Sequence, residues 1–152
     1  MTRTAAREIA IALGFSAADG AEAAEESMDR FFEPEHYASM AEENPLFAEF
    51  PDERQMAYIR TLVRLIAEHR SELDAYIEKY ARGWKVGRIS RTASAILRCA
   101  ISEILWLPDV PNAAAINEAV ELAKKYEDED VVSFINGILG GFIRGEVETT
   151  EG

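Results

Sequence analysis

The sequence predicts an all-α fold, and three observations carry the prediction. Apolar residues recur at three- and four-residue spacing in segment after segment, the strict alternation of a half-buried strand is missing throughout, and no internal repeat is visible. No run of eighteen apolar residues occurs, so no membrane-spanning helix is expected. The 152 residues suit a single domain over 1–152, long enough to bury a core without disulfides or metals. About six or seven helices fit the pattern.

The first helix is expected from about Thr4, with Ile9, Leu13 and Ile11 facing inward. Met1 to Phe15 followed by Ser16-Ala17-Ala18 superficially resembles a secretory leader. However, the apolar run is minimal, Glu8 abuts it, and the lone Cys99 fits export poorly, so a cytoplasmic helix is the better reading. Arg3 and Arg7 lie four apart, hence on one face, near a helix N-terminus where cations gain nothing from the dipole; they are either solvated charges or an anion contact. An acidic helix follows over about Ala21 to Phe32. From Pro34 to Pro51 the pattern loses its period, and a turn or short helices are expected.

From Asp52 a helical period runs through Met56, Ile59, Leu62, Val63 and Ile66, then continues or restarts with Ser71 as an N-cap through Leu73, Tyr76, Ile77 and Tyr80. The helix from Ser90 to Leu107 carries Ile96, Leu97, Ala100, Ile101, Ile104 and Leu105 as a wide apolar arc and is closed by Pro108. Arg98 within it should pair with an acid such as Glu103 or Glu118. Cys99 in the same arc is a packing residue.

Pro111 to Tyr126 is the clearest helix. Pro111 suits the first turn, and Ile116, Ala119, Val120 and Ala123 mark the inward face with Leu122 at its margin. Ala115, Ala119 and Ala123 form a row of small residues that admits a close neighbour, which puts this helix and the Ser90–Leu107 helix at the centre. The last helix, about Asp130 to Arg144, aligns Val131, Ile135, Ile138 and Phe142 with Val132 and Leu139 beside them. Gly137 is expected to admit a close helix contact, and the tail from Glu146 to fray.

Charge is segregated. The chain carries a net −12, which argues against a polyanionic partner. Twelve acids stand against Arg30 alone between Asp19 and Glu53, yet Lys79, Arg82, Lys85, Arg88, Arg91 and Arg98 fall in a stretch with no acid. With a screening length of about 8 Å at physiological salt, such a patch can hold an anion despite the total. Arg3, Arg7 and the basic island are expected to form one face. Neither His36 nor His69 has the neighbours of a metal site or triad, and no Gly-rich phosphate loop occurs. Glu33-x-x-His36 is half of a di-iron motif with no second copy. No cofactor and no enzymatic activity are expected.

Trp84 and Arg88, Ala95-Ile96-Leu97-Arg98, Val110-Pro111, Ile116-Asn117-Glu118-Ala119-Val120-Glu121-Leu122-Ala123-Lys124 and Phe134-Ile135-Asn136-Gly137-Ile138-Leu139 together resemble the bacterial NusB family. Ala6-Arg7-Glu8 is similar to that family's first helix. The resemblance implies two three-helix subdomains and a transcription antitermination factor. Such a factor binds boxA RNA of nascent ribosomal transcripts with the ribosomal protein NusE, in contact with the transcription elongation complex. It also admits a homodimer.

The resemblance makes Asn117, Glu118 and Phe134 candidate RNA contacts beside Arg3, Arg7, Lys79, Arg82, Lys85 and Arg88. Phe15 and Ala93 fall at partner-contact positions. Each has a plainer alternative: Asn117 and Glu118 bridging helices, Phe134 in the core, Trp84 as an anchor between subdomains. Three departures from the family stand out. The arginine-rich leader is reduced to Arg3 and Arg7, an acidic partner-contact position is Ala93, and the acidic segment 19–53 is long. A protein adaptor that has lost RNA binding is the alternative function.

Overall fold

The computed structural model describes residues 1–14, 20–82 and 89–148. Among them it is all-helical, with eight α-helices, a 3-10 turn and a π-helical turn, and it divides into two compact units, Met1–Glu68 and His69–Gly152.

The first unit contains α1 (Arg3–Gly14), α2 (Ala21–Phe31), α3 (Pro34–Met40), the 3-10 turn Pro45–Phe47 and α4 (Glu53–Glu68). Both α1 and α2 pack on α4, whose Ile59, Leu62, Val63 and Ile66 are buried. From α1 come Ile9, Ile11 and Leu13, as the spacing predicts, and from α2 Ala24 and Met28. Met56 is only half-buried. Gly20, at the entrance to α2, has φ 101°, the left-handed region that favours glycine. The aperiodic stretch resolves into α3 and the 3-10 turn. Glu33 explains the start of α3, because its carboxylate accepts from the backbone N–H of Glu35 at 3.4 Å and of His36 at 3.0 Å, and Pro34 needs no partner. Half of the imagined di-iron motif is therefore a helix cap.

The second unit contains α5 (Arg70–Tyr80), α6 (Arg91–Trp106), α7 (Asn112–Tyr126), α8 (Glu129–Phe142) and the π-helical turn Ile143–Val147. Helices α6, α7 and α8 pack on one another, and α5 covers α6 and α8. The helical period is interrupted at His69, so α5 is a separate helix; it begins at Arg70, and Ser71 lies inside it and not at its cap. Ser90 does cap α6, its Oγ accepting from Ala93 N–H at 3.0 Å and donating to Glu127 at 2.5 Å.

In α6 the buried arc is Ala93, Ala95, Ile96, Leu97, Cys99, Ala100, Ile101, Ser102 and Glu103, with Ile104 and Leu105 half-buried at its edge. Cys99 donates to Glu103 at 3.4 Å. Arg98 pairs with Asp74 of α5 at 2.7 Å, and not with Glu103 or Glu118 as anticipated, because its position turns it toward α5. In α7 the buried stripe is Ala115, Ala119, Leu122 and Ala123, while Ile116 and Val120 are half-buried. The alanines allow the closest approach, so the line of contact falls on them and the larger side chains move to its rim. In α8 the interior takes Phe134, Ile135, Ile138, Leu139 and Phe142, leaving Val131 and Val132 half-buried.

The expectation for Gly137 is overturned: it is exposed and a Cβ there would meet nothing within 4 Å. The close approach occurs one and two turns later. A Cβ on Gly141 would sit 3.1 Å from the Tyr80 ring, and one on Gly145 would overlap it. The tail expected to fray from Glu146 to Gly152 is held at Glu146, which accepts hydrogen bonds from Lys79 and Tyr80, and residues 149–152 lie outside the described residues.

Candidate nucleic-acid interface

In the first unit the two candidate arginines converge on one aromatic ring. Arg3 and Arg7, one turn apart on α1, bring their guanidinium carbons to 4.3 Å and 5.8 Å from the centroid of Tyr58 on α4. Such contacts attract a cation through the ring quadrupole and fix its plane. The two arginines differ in access. Arg3 is exposed, whereas Arg7 is 4% exposed and therefore not the solvated charge that its spacing suggested.

The second unit presents a cleft of about 670 Å³ whose walls include Tyr80, Arg82, Asp130, Phe134, Ile138 and Arg144. Phe134 is 7% exposed and still contributes to the wall. Gly141 and Gly145, also in the wall, leave room for the Tyr80 ring. Arg82, just past the end of α5, is exposed.

Lys79 is exposed but committed, since its Nζ lies 2.7 Å from Glu146 and 5.4 Å from the Tyr80 ring. The hydrogen bonds from Lys79 and Tyr80 hold the Glu146 carboxyl below its ordinary range. The same bonds raise Lys79 and Tyr80, each of which is held in its protonated, donating form. A phosphate approaching Lys79 would have to displace a carboxylate.

Of the other candidates, Asn117 is exposed on α7 and Glu118 is half-buried beside it. Ala93 is 0% exposed in the first turn of α6. Phe15, Trp84, Lys85 and Arg88 lie outside the described residues. Sequence reasoning missed Tyr80, Asp130 and Arg144 as cleft residues. The four-residue spacing of Gly141 and Gly145 was the one signal that something lies against this face of the chain. Among the described residues no group of three or more His, Cys, Asp or Glu is placed to hold a metal, and no helix is long and apolar enough to cross a membrane.

Comparison with known proteins gives one answer. The NusB family model matches residues 4–144. The transcription antitermination protein NusB of Symbiobacterium thermophilum is 41% identical over 149 residues, covering 95% of this chain and 91% of that one. The protein of the same name from Clostridium perfringens is 37% identical over 139 residues, covering 91% and 94%. Among solved structures, T. maritima NusB superposes with a TM-score of 0.69 at 25% identity, covering 99% of this chain and 98% of that one.

Proposed function

Because the chain belongs to the NusB family of transcription antitermination proteins, we propose that it binds boxA RNA of nascent ribosomal transcripts together with the ribosomal protein NusE. The observation that best supports this reading is the cleft of the second unit, where the aromatic walls Tyr80 and Phe134 stand beside the guanidinium groups of Arg82 and Arg144. Single-stranded RNA is held by this combination, bases against aromatic faces and phosphates on cations. Asp130 in the same wall opposes a phosphate, so the cleft favours a base there and a phosphate on the arginine side. Arg3, exposed and propped on Tyr58, is the corresponding cation of the first unit.

With few accessible cations on a chain of net charge −12, RNA affinity of the protein alone is modest. A basic partner adds both charge and contact area, which makes joint binding the physical requirement of this function.

The test is titration of a boxA-like single-stranded RNA into the chain alone and with NusE. NusE should tighten binding substantially. Arg82→Ala should weaken it for all sequences alike and reduce the salt slope by about 0.7, the loss of one single-strand phosphate contact. NusE binding that persists while neither the free chain nor the pair retains RNA would support the adaptor reading instead.

A further inference from the structure

In the first unit the segment that lacks a helical period builds an aromatic cluster with an open face. Phe32 stacks on Tyr37 at 5.8 Å, Phe47 meets Phe31 at 5.7 Å and Tyr37 at 5.6 Å, and Phe50 meets Tyr37 edge-on at 5.1 Å. The Tyr37 hydroxyl donates to the Glu49 carbonyl at 2.8 Å, tying the segment back to α3. Beside this cluster runs a groove of about 440 Å³ lined by Pro34, Tyr37, Ala38, Ala41, Phe47 and Phe50. The first four recur as i, i+3, i+4 and i+7, so they present one side of α3 and the turn after it. Phe50 is 49% exposed, one of two large apolar residues left so open among those described.

The segment that forms the groove is acidic, although the Arg60 guanidinium lies over the Phe32 ring at 5.8 Å. From Phe31 to Glu53 the sequence has Glu33, Glu35, Glu42, Glu43, Glu49, Asp52 and Glu53 and no Lys or Arg. Glu49 is met by the Met1 ammonium and Glu33 is used as a cap, but Glu35, Glu42 and Glu43 are exposed beside groove residues. An apolar floor with an acidic rim repels RNA and is complementary to a peptide with apolar side chains on one face and Lys or Arg on the other.

We propose that this groove docks a basic amphipathic helix of a protein partner, with apolar anchors against Tyr37, Phe47 and Phe50 and cations on Glu35, Glu42 and Glu43. The groove contains none of the residues assigned to RNA, so the two readings stand or fall separately.

It is tested with the full chain and a fluorescent peptide of leucine and lysine whose leucines follow the i, i+3, i+4, i+7 period. A scrambled peptide of the same composition and a leucine–glutamate peptide serve as controls. The periodic basic peptide should bind and both controls should bind at least about tenfold more weakly. Phe50→Ala, at an exposed position, and the double substitution Glu42→Lys/Glu43→Lys should each weaken it by about tenfold, with the helical circular dichroism unchanged. Binding of boxA-like RNA should be unaffected by Phe50→Ala. Equal binding of the scrambled peptide, or indifference to both variants, overturns the proposal. So does self-association of the chain that Phe50→Ala abolishes, since the groove would then belong to a second copy.

Discussion

Glu146 shows how much one carboxylate can organise when two donors reach it. Its ionised form accepts from both Lys79 and Tyr80, so its contribution to stability is present above the ordinary carboxylate pKa and lost as pH falls through its own depressed value. Tyr80 and Lys79 are raised, so theirs is present below their ordinary values and lost as pH rises through the raised ones. The turn Ile143–Val147 should therefore be held best between these limits and loosen in acid. Glu146→Gln should remove the acid-side dependence and lower the pKa of Tyr80, followed by NMR titration of its ring. An unchanged Tyr80 titration would contradict the arrangement. None of this was visible in the sequence, because residues 66 or 67 positions apart meet only through the packing of α5 on α8.

At the scale of the element, what the sequence specifies well is the existence and phase of the longer helices; α3, in the stretch without a period, brings the α-helices among the described residues to eight where six or seven were expected. The buried arc of α6 follows its period, and Leu97 at its middle is 0% exposed. Leu97→Ala should cost roughly 2 to 5 kcal/mol, the range for emptying a packed site. A chemical denaturation midpoint that does not move would sink this placement. Period is a poor guide to which part of an apolar arc becomes the contact line. On α7 the expected row Ala115, Ala119 and Ala123 is indeed the packed stripe, but Leu122, expected at its margin, is buried with it, whereas Ile116 and Val120, expected inside, are only half-buried. Period favoured Gly137 on α8, whereas Tyr80 selects Gly141 and Gly145. Both outcomes depend on where a neighbouring helix carries bulk, which is long-range information. The start of α6 was placed at Ser90, where a capping hydroxyl is found, but Ser71 was taken for the cap of α5, which begins at Arg70 after His69, whose side chain makes no capping bond.

For the molecule as a whole, the charge pattern was readable in full and the site only in outline. Lys and Arg positions can be counted; their availability cannot. Among the candidate cations Arg7 is buried and Lys79, though exposed, is committed to Glu146, while Arg3 and Arg82 are exposed. Even if all seven of Arg3, Arg7, Lys79, Arg82, Lys85, Arg88 and Arg144 met phosphates, log K against log salt for single-stranded RNA should be no steeper than about −5 for the chain alone. A steeper slope would mean that cations outside this set carry the binding.

The π-helical turn Ile143–Val147 has one more consequence. A π turn holds one residue more than the α turn it replaces, so it is in effect an insertion absorbed without breaking the helix. Removing one residue ahead of Glu146 in that turn would restore the α spacing and rotate the residues that follow the deletion by about 100°. Glu146 would swing away from Tyr80 and Lys79 although every side chain needed for the bond was still present. The contact is thus encoded by chain length as much as by residue type, and a one-codon deletion here would be more damaging than most substitutions at the same positions.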